Sequence, residues 1–125
     1  MYLIDSDILI DAIRFQPTAL TFLENLQKRE RNIALLTQFE LLKGCMNKEQ
    51  ESRLNIFLRH FTILRITESV EKTALELYRV KRWSIGIGIV DSFIAATAIV
   101  HKYQIVSRNK KHYQNIAQLK IYTPY

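Results

Sequence analysis

Short apolar runs alternate along this chain with longer stretches in which apolar residues recur every three or four positions. Tyr2-Leu3-Ile4, Ile33-Ala34-Leu35-Leu36, Phe61-Thr62-Ile63-Leu64-Arg65-Ile66, Gln104-Ile105-Val106-Ser107 and Leu119-Lys120-Ile121-Tyr122 have the length of strands. The third run alternates and is rich in β-branched residues. The first two are apolar throughout, as in strands buried on both faces. Helical spacing fills the intervals. Ile8–Ile13 opens a helix capped by Ser6 or Asp7, and after a break at Pro17 the residues Ala19, Leu20, Phe22, Leu23 and Leu26 share a face through Lys28. Lys28–Asn32 and Asn47–Gln50 are polar turns, the second leading into an amphipathic helix with Leu54, Ile56, Phe57 and Leu58. Thr67 or Ser69 caps a long helix carrying Val70, Ala74, Leu77, Tyr78 and Lys81. A glycine-containing loop, Trp83–Val90, precedes a helix over Asp91–His101. That helix is apolar on nearly every face, which puts it at the centre of the molecule. Strands alternating with helices predict an α/β fold whose parallel sheet is covered on both sides.

Thr37-Gln38-Phe39-Glu40 has the form of a capping box, with Thr37 as N-cap and Glu40 reaching back to the cap's amide. The helix it opens runs to Gly44.

Composition changes this picture little. A length of 125 residues with three Gly and two Pro suits one domain over 1–125 with no long linker. Cys45 is alone, so no intrachain disulfide forms, which suits a reducing cytoplasm; it reads as a small core residue. No signal peptide or bilayer-length apolar stretch is present. The net charge of +6 suits a polyanionic partner or simple solubility.

Against that basic background, four acids stand at element junctions. Asp5 and Asp7 follow the first strand, Glu40 follows the second, and Asp91 starts the central helix. Ligands of open parallel sheets bind beyond the carboxyl ends of the strands. Carboxylates gathered there repel one another unless a cation neutralises them, and hard oxygen donors suit Mg2+ or Mn2+. Such an ion could bind a phosphodiester oxygen and activate water. Local roles compete: Glu40 as the capping-box acid, Asp91 as an N-cap, Asp7 as the cap of the first helix. Asp5 is hardest to explain locally, because it ends a strand. Asp11 reads as a solvated helix residue, and His101 and His112 as surface residues.

Four blocks, Leu3-Ile4-Asp5-Ser6-Asp7-Ile8-Leu9-Ile10, Thr37-Gln38-Phe39-Glu40-Leu41-Leu42-Lys43-Gly44, Asp91-Ser92-Phe93-Ile94-Ala95-Ala96-Thr97-Ala98 and Val106-Ser107-Arg108-Asn109-Lys110-Lys111-His112-Tyr113, resemble in order and spacing the signature blocks of PIN-domain ribonucleases, and within them the VapC-type toxins. The resemblance implies a three-layer α/β/α sandwich with a mainly parallel sheet, usually a homodimer. It implies a Mg2+- or Mn2+-dependent endoribonuclease held silent by a VapB-like antitoxin whose tail covers the acidic pocket. Operator DNA is bound only through that antitoxin, and no membrane is involved. Asp5, Glu40 and Asp91 match the three catalytic and metal-binding acids. Asp7 stands where the family often has Asn or Ser, and becomes a further candidate ligand. Asn109 stands where a fourth acid is common, and its amide cannot serve as an anionic ligand. Ser107, Arg108, Asn109 and Lys110 are the candidate RNA-backbone contacts. Two other readings compete. In one the chain is a catalytically weak PIN module that partners a DNA-binding antitoxin. In the other, Asp5-Ser6-Asp7 is the nucleophile motif of a haloacid-dehalogenase-type phosphatase, with Thr37 on the phosphate.

Overall fold

The computed structural model describes residues 1–125. Its elements follow in the order β1 (Tyr2–Ile4), α1 (Ser6–Ile13), α2 (Pro17–Glu24), β2 (Arg31–Ala34), α3 (Leu35–Lys43), α4 (Lys48–Leu58), β3 (Thr62–Leu64), α5 (Glu68–Ser84), α6 (Ile89–His101), β4 (Gln104–Val106) and β5 (Ile121–Tyr122). The sheet order is β3-β2-β1-β4-β5, and every pairing is parallel. This is the predicted α/β sandwich.

Strand periodicity explains the layers. Adjacent residues of a strand face opposite sides, so Leu3 and Ile105 point to one face of the sheet and Ile4 and Val106 to the other. The first face packs on α5 and α6 through Val70, Ala74, Ile94, Ala95 and Ala98. The second packs on α1 to α4 through Ile8, Leu9, Ala19, Leu41, Leu54 and Leu58. Helix α6 carries small residues, Ala95, Ala96 and Ala98, all fully buried, which let it lie close in the layer. No helix is long and apolar enough to cross a membrane. Cys45 is half-buried at the edge of the second layer rather than inside it.

Several boundaries differ from the sequence reading, each for a physical reason. The stretch Lys28–Asn32 is not simply a polar turn. It makes a short 3-10 turn at Lys28–Glu30, and then Arg31 and Asn32 enter β2. Asn32 is buried there because its side-chain amide donates to the carbonyls of Tyr2 at 3.0 Å and Arg29 at 3.1 Å. With the strand displaced toward the N-terminus, α3 begins at Leu35 on an Ala34 cap. Thr37 is therefore inside the helix, and its capping box with Glu40 does not form. Asn47–Gln50 is likewise not a separate turn: Asn47 caps α4, its side chain accepting from the Gln50 amide at 2.9 Å. Trp83 and Ser84 complete α5, whose cap is Thr67. Gly86, at φ 65°, turns the chain before α6.

Thr37 is 0% exposed and its hydroxyl has no hydrogen-bond partner. An unpaired buried hydroxyl destabilises, whereas an apolar group of the same shape does not. Thr37→Val is expected to stabilise the protein by about 1 kcal/mol in urea unfolding; an unchanged or lower midpoint would contradict this.

Candidate active site

The register of the central strands builds the site. Ile4 pairs with Val106, and the Asp5 amide donates to the Val106 carbonyl at 2.9 Å. Residues just beyond these two strand ends are thereby forced together: Asp5 and Asp7 from one, Ser107 and Arg108 from the other. Asp5 has a local role after all. It is the N-cap of α1, with Oδ1 accepting from the Ser6 amide at 2.9 Å, so neither Ser6 nor Asp7 is the cap. Its Oδ2 accepts from the Ser107 hydroxyl at 3.0 Å and the Tyr113 hydroxyl at 3.2 Å.

Asp91 arrives from α6. That helix starts at Ile89 on a Gly88 cap, so Asp91 is its third residue and not its N-cap. Its Oδ1 accepts from the Tyr113 hydroxyl at 3.4 Å, and its Oδ2 lies 3.1 Å from His112 Nδ1. Glu40 comes from α3 and faces the same place, where both Asp5 and Asp91 act on its charge. Freed from the capping box, Glu40 retains no local structural role.

The electrostatics record the crowding. Burial, then the neighbouring Asp7 charge, pushes the Asp5 carboxyl up to about 6, against the opposing hydrogen bonds of Ser6 and Ser107; Asp91 adds to the rise. Burial, then Asp5 and Asp91, also raise Glu40, with Lys43 and Ser6 acting the other way. The Tyr113 phenol is held neutral by burial and by the same acids.

Asp7 behaves differently from the other three. Its Oδ2 accepts from the Arg108 amide at 2.8 Å and the Ser107 hydroxyl at 3.3 Å, and its Oδ1 from the Ile8 amide at 2.8 Å. It pins the turn after β4. Ser107 is buried within that network, and its hydroxyl also accepts from the Asn109 amide at 2.9 Å. Arg108 is half-exposed and pairs with Asp11 at 2.9 Å. Asp11 is accordingly not a free solvated acid: it also accepts from the Tyr125 hydroxyl at 2.7 Å. Asn109 and Lys110 are exposed beside the site.

His112 and Tyr113 escaped the sequence reading. His112 is on the surface, as expected, but its Nδ1 also stands against Asp91. The available signal was a tyrosine inside the otherwise polar stretch Arg108–Asn115, an apolar ring with a reason to be buried.

The donor set is all oxygen, its two raised acids lack a buried basic partner, and two of its carboxylates converge on one hydroxyl. That chemistry fits a hard divalent cation. No three ligating side chains yet stand at metal spacing around one point. The phosphatase reading fails here: Thr37 lies buried inside α3, sealed from any phosphate.

Residues 2–118 match the family profile described as PIN domain. The chain is 33% identical over 123 residues to Ribonuclease VapC1 of Methanocaldococcus jannaschii, covering 96% of this chain and 85% of that protein. A chain of a toxin-antitoxin complex from Klebsiella pneumoniae superposes with a TM-score of 0.83 at 29% identity, over 100% of this chain and 98% of that one. A chain of VapBC2 from Rickettsia felis, solved bound to a DNA fragment from their promoter, gives 0.82 at 26% identity, over 97% and 96%. With its strand order, its acids at the carboxyl edge of the sheet and these likenesses agreeing, the chain belongs to the PIN-domain family.

Proposed function

We infer that this chain is an endoribonuclease, the toxin of a VapBC-type toxin–antitoxin pair, hydrolysing RNA phosphodiester bonds at its acidic pocket. The observation that carries this reading is the convergence of Asp5, Glu40 and Asp91, from three separate elements, on one place at the carboxyl edge of the sheet. The likeness to a protein named Ribonuclease VapC1 supports the activity.

Asp5 and Asp91 would hold the divalent cation, Mg2+ or Mn2+, with Glu40 completing its surroundings. When bound, that ion supplies Lewis-acid chemistry, polarising a phosphoryl oxygen and easing deprotonation of water. The chain's own residues do the rest. Three donors fix Asp5, so its lone pairs keep one direction. Glu40, exposed at the rim of the site, orients the attacking water. Asp7 adds negative charge to the pocket and holds the turn that carries Arg108, Asn109 and Lys110, which contact the RNA backbone and position rather than specify. A VapB-like antitoxin silences the site, and operator DNA is reached through it. A mostly apolar cavity of about 560 Å3, lined by Ile13, Leu41, Leu54 and Phe57 with Arg14 and Arg53, opens beside Glu40 and suits apolar side chains of the antitoxin tail. The chain acts as one domain in the cytoplasm, as a homodimer.

The test is cleavage of total cellular RNA with Mg2+ or Mn2+, with the new ends mapped by sequencing. Cleavage is expected to stop in chelator and in Asp91→Asn. A folded wild type that cuts no RNA would leave only the partner role that Asn109, in place of a fourth acid, favours. A roughly fourfold rise in salt is expected to weaken RNA binding by about tenfold, the effect of two or three phosphate contacts. Binding indifferent to salt would remove Arg108 and Lys110 from the interface.

A further inference from the structure

Tyr113 is the one side chain that hydrogen-bonds both Asp5 and Asp91. It is 0% exposed, and its ring lies in the same buried cluster as Ile94, Ile105 and Ile116. The backbone around it is tied down as well: the Tyr113 amide donates to the Lys110 carbonyl at 3.1 Å, and the Ile116 amide to the Tyr113 carbonyl at 3.2 Å. A hydroxyl free to approach a carboxylate closes to about 2.5–2.7 Å. Here it stands at 3.2 Å from one acid and 3.4 Å from the other. Core packing, not the hydrogen bonds, therefore decides where the oxygen sits, and it sits between two acids that repel each other. A phenylalanine would fill the same apolar space without a polar atom. The hydroxyl has no acceptor other than these two carboxylates. The Nδ1 of the preceding residue, His112, lies 3.1 Å from the other oxygen of Asp91.

We propose that Tyr113 is a positioning residue of the cation site: its hydroxyl, held by the core, keeps one oxygen of Asp5 and one of Asp91 on the same group, so that a divalent cation meets these two ligands side by side. The proposal rests on the cation-dependent reading above. Outer partners of this kind set affinity because they remove the reorientation that ligands otherwise undergo on binding.

The experiment is calorimetric titration of Mn2+ into wild type and Tyr113→Phe, with RNA cleavage followed across Mn2+ concentrations. Tyr113→Phe is expected to bind Mn2+ about tenfold more weakly. Its unfolding midpoint in chelator should stay within a few degrees of wild type, and its cleavage should recover as Mn2+ is raised. A purely structural tyrosine would move the midpoint and leave the affinity alone. A second measurement needs no variant: in wild type labelled at the tyrosine ring Cζ, Mg2+ should shift the resonance of the buried Tyr113. An unchanged or tighter Mn2+ affinity, or a Tyr113 resonance blind to Mg2+, overturns the proposal. Wild type that binds no Mn2+ overturns it together with the cation site. Wild type that binds Mn2+ and cuts RNA, beside a variant that binds equally well, overturns it alone.

Discussion

Asp5→Asn abolishes RNA cleavage and at the same time makes the cation-free protein harder to unfold. The first effect follows from the proposed role of Asp5 as an anionic ligand: a divalent ion held there would supply several kcal/mol of charge stabilisation, on the order of a thousandfold or more in rate. The second follows from the carboxyl's environment. Burial, Asp7 and Asp91 raise Asp5 from 3.8 to about 6. Between those two values the folded state binds more protons than the unfolded one, so stability falls as pH rises through the window. Above it, the ionised carboxylate holds the folded state back by about 3 kcal/mol. An amide carries no charge, and its oxygen still accepts from the Ser6 amide at the head of α1. The Ser107 hydroxyl, already 3.3 Å from Asp7, can turn to that partner. In chelator at pH 8 the unfolding midpoint is expected to rise by roughly 10 °C. The advantage should shrink as pH falls from 6 and vanish below about 4, where Asp5 is neutral in both states. A variant less stable than wild type at pH 8 would mean that Asp5 is held by its donors more than it is strained by its neighbours. Retained cleavage would remove it from the site.

The parts of this molecule that could be read from sequence are those governed by periodicity. Leu3 and Ile4 are buried on opposite faces because a strand alternates, and Ala95, Ala96 and Ala98 are buried because α6 is apolar all round. The approach of Asp91 to Asp5, on either side of the Tyr113 hydroxyl, follows the sequence expectation, while Glu40 meets them only through its charge. What failed was local chemistry that tertiary contacts decide. Asn32 looked like a turn residue because nothing in the sequence says that the Tyr2 carbonyl awaits its amide. With Asn32 in β2, that strand ends at Ala34, α3 starts at Leu35, and the capping box that the pattern Thr37…Glu40 advertised does not form. The roles of Asp5 and Asp7 were exchanged for the same reason: a cap is chosen by where the strand ends, which pairing with β4 determines. Tyr113 and His112 were missed because they lie 22 and 21 positions from Asp91 along the chain, in a turn whose fold no local pattern describes.

Ser107→Ala separates the two roles offered for that residue, and the expected loss is in stability. Ser107 is 0% exposed. Its hydroxyl donates toward Asp5 at 3.0 Å and Asp7 at 3.3 Å, and accepts from the Asn109 amide at 2.9 Å. Alanine leaves that amide without its partner and takes one of three donors from Asp5. A hydrogen bond to a charged group and a stranded amide together destabilise by about 3 kcal/mol. The pH dependence has a definite sign. Ser107 lowers the Asp5 pKa, so its removal raises it further, and the folded variant resists ionisation more than wild type does. The difference between variant and wild type should therefore widen as pH rises through 6 and narrow in acid. A phosphate contact behaves otherwise. Its loss would leave urea unfolding untouched, weaken RNA binding at every sequence, and reduce the salt slope by about 0.7. Ser107→Ala is expected to leave the salt slope as it is, because Arg108 and Lys110 still face the RNA. A variant as stable as wild type, with a shallower salt dependence, would restore Ser107 to the interface and make the buried network around Asp5 weaker than its distances imply.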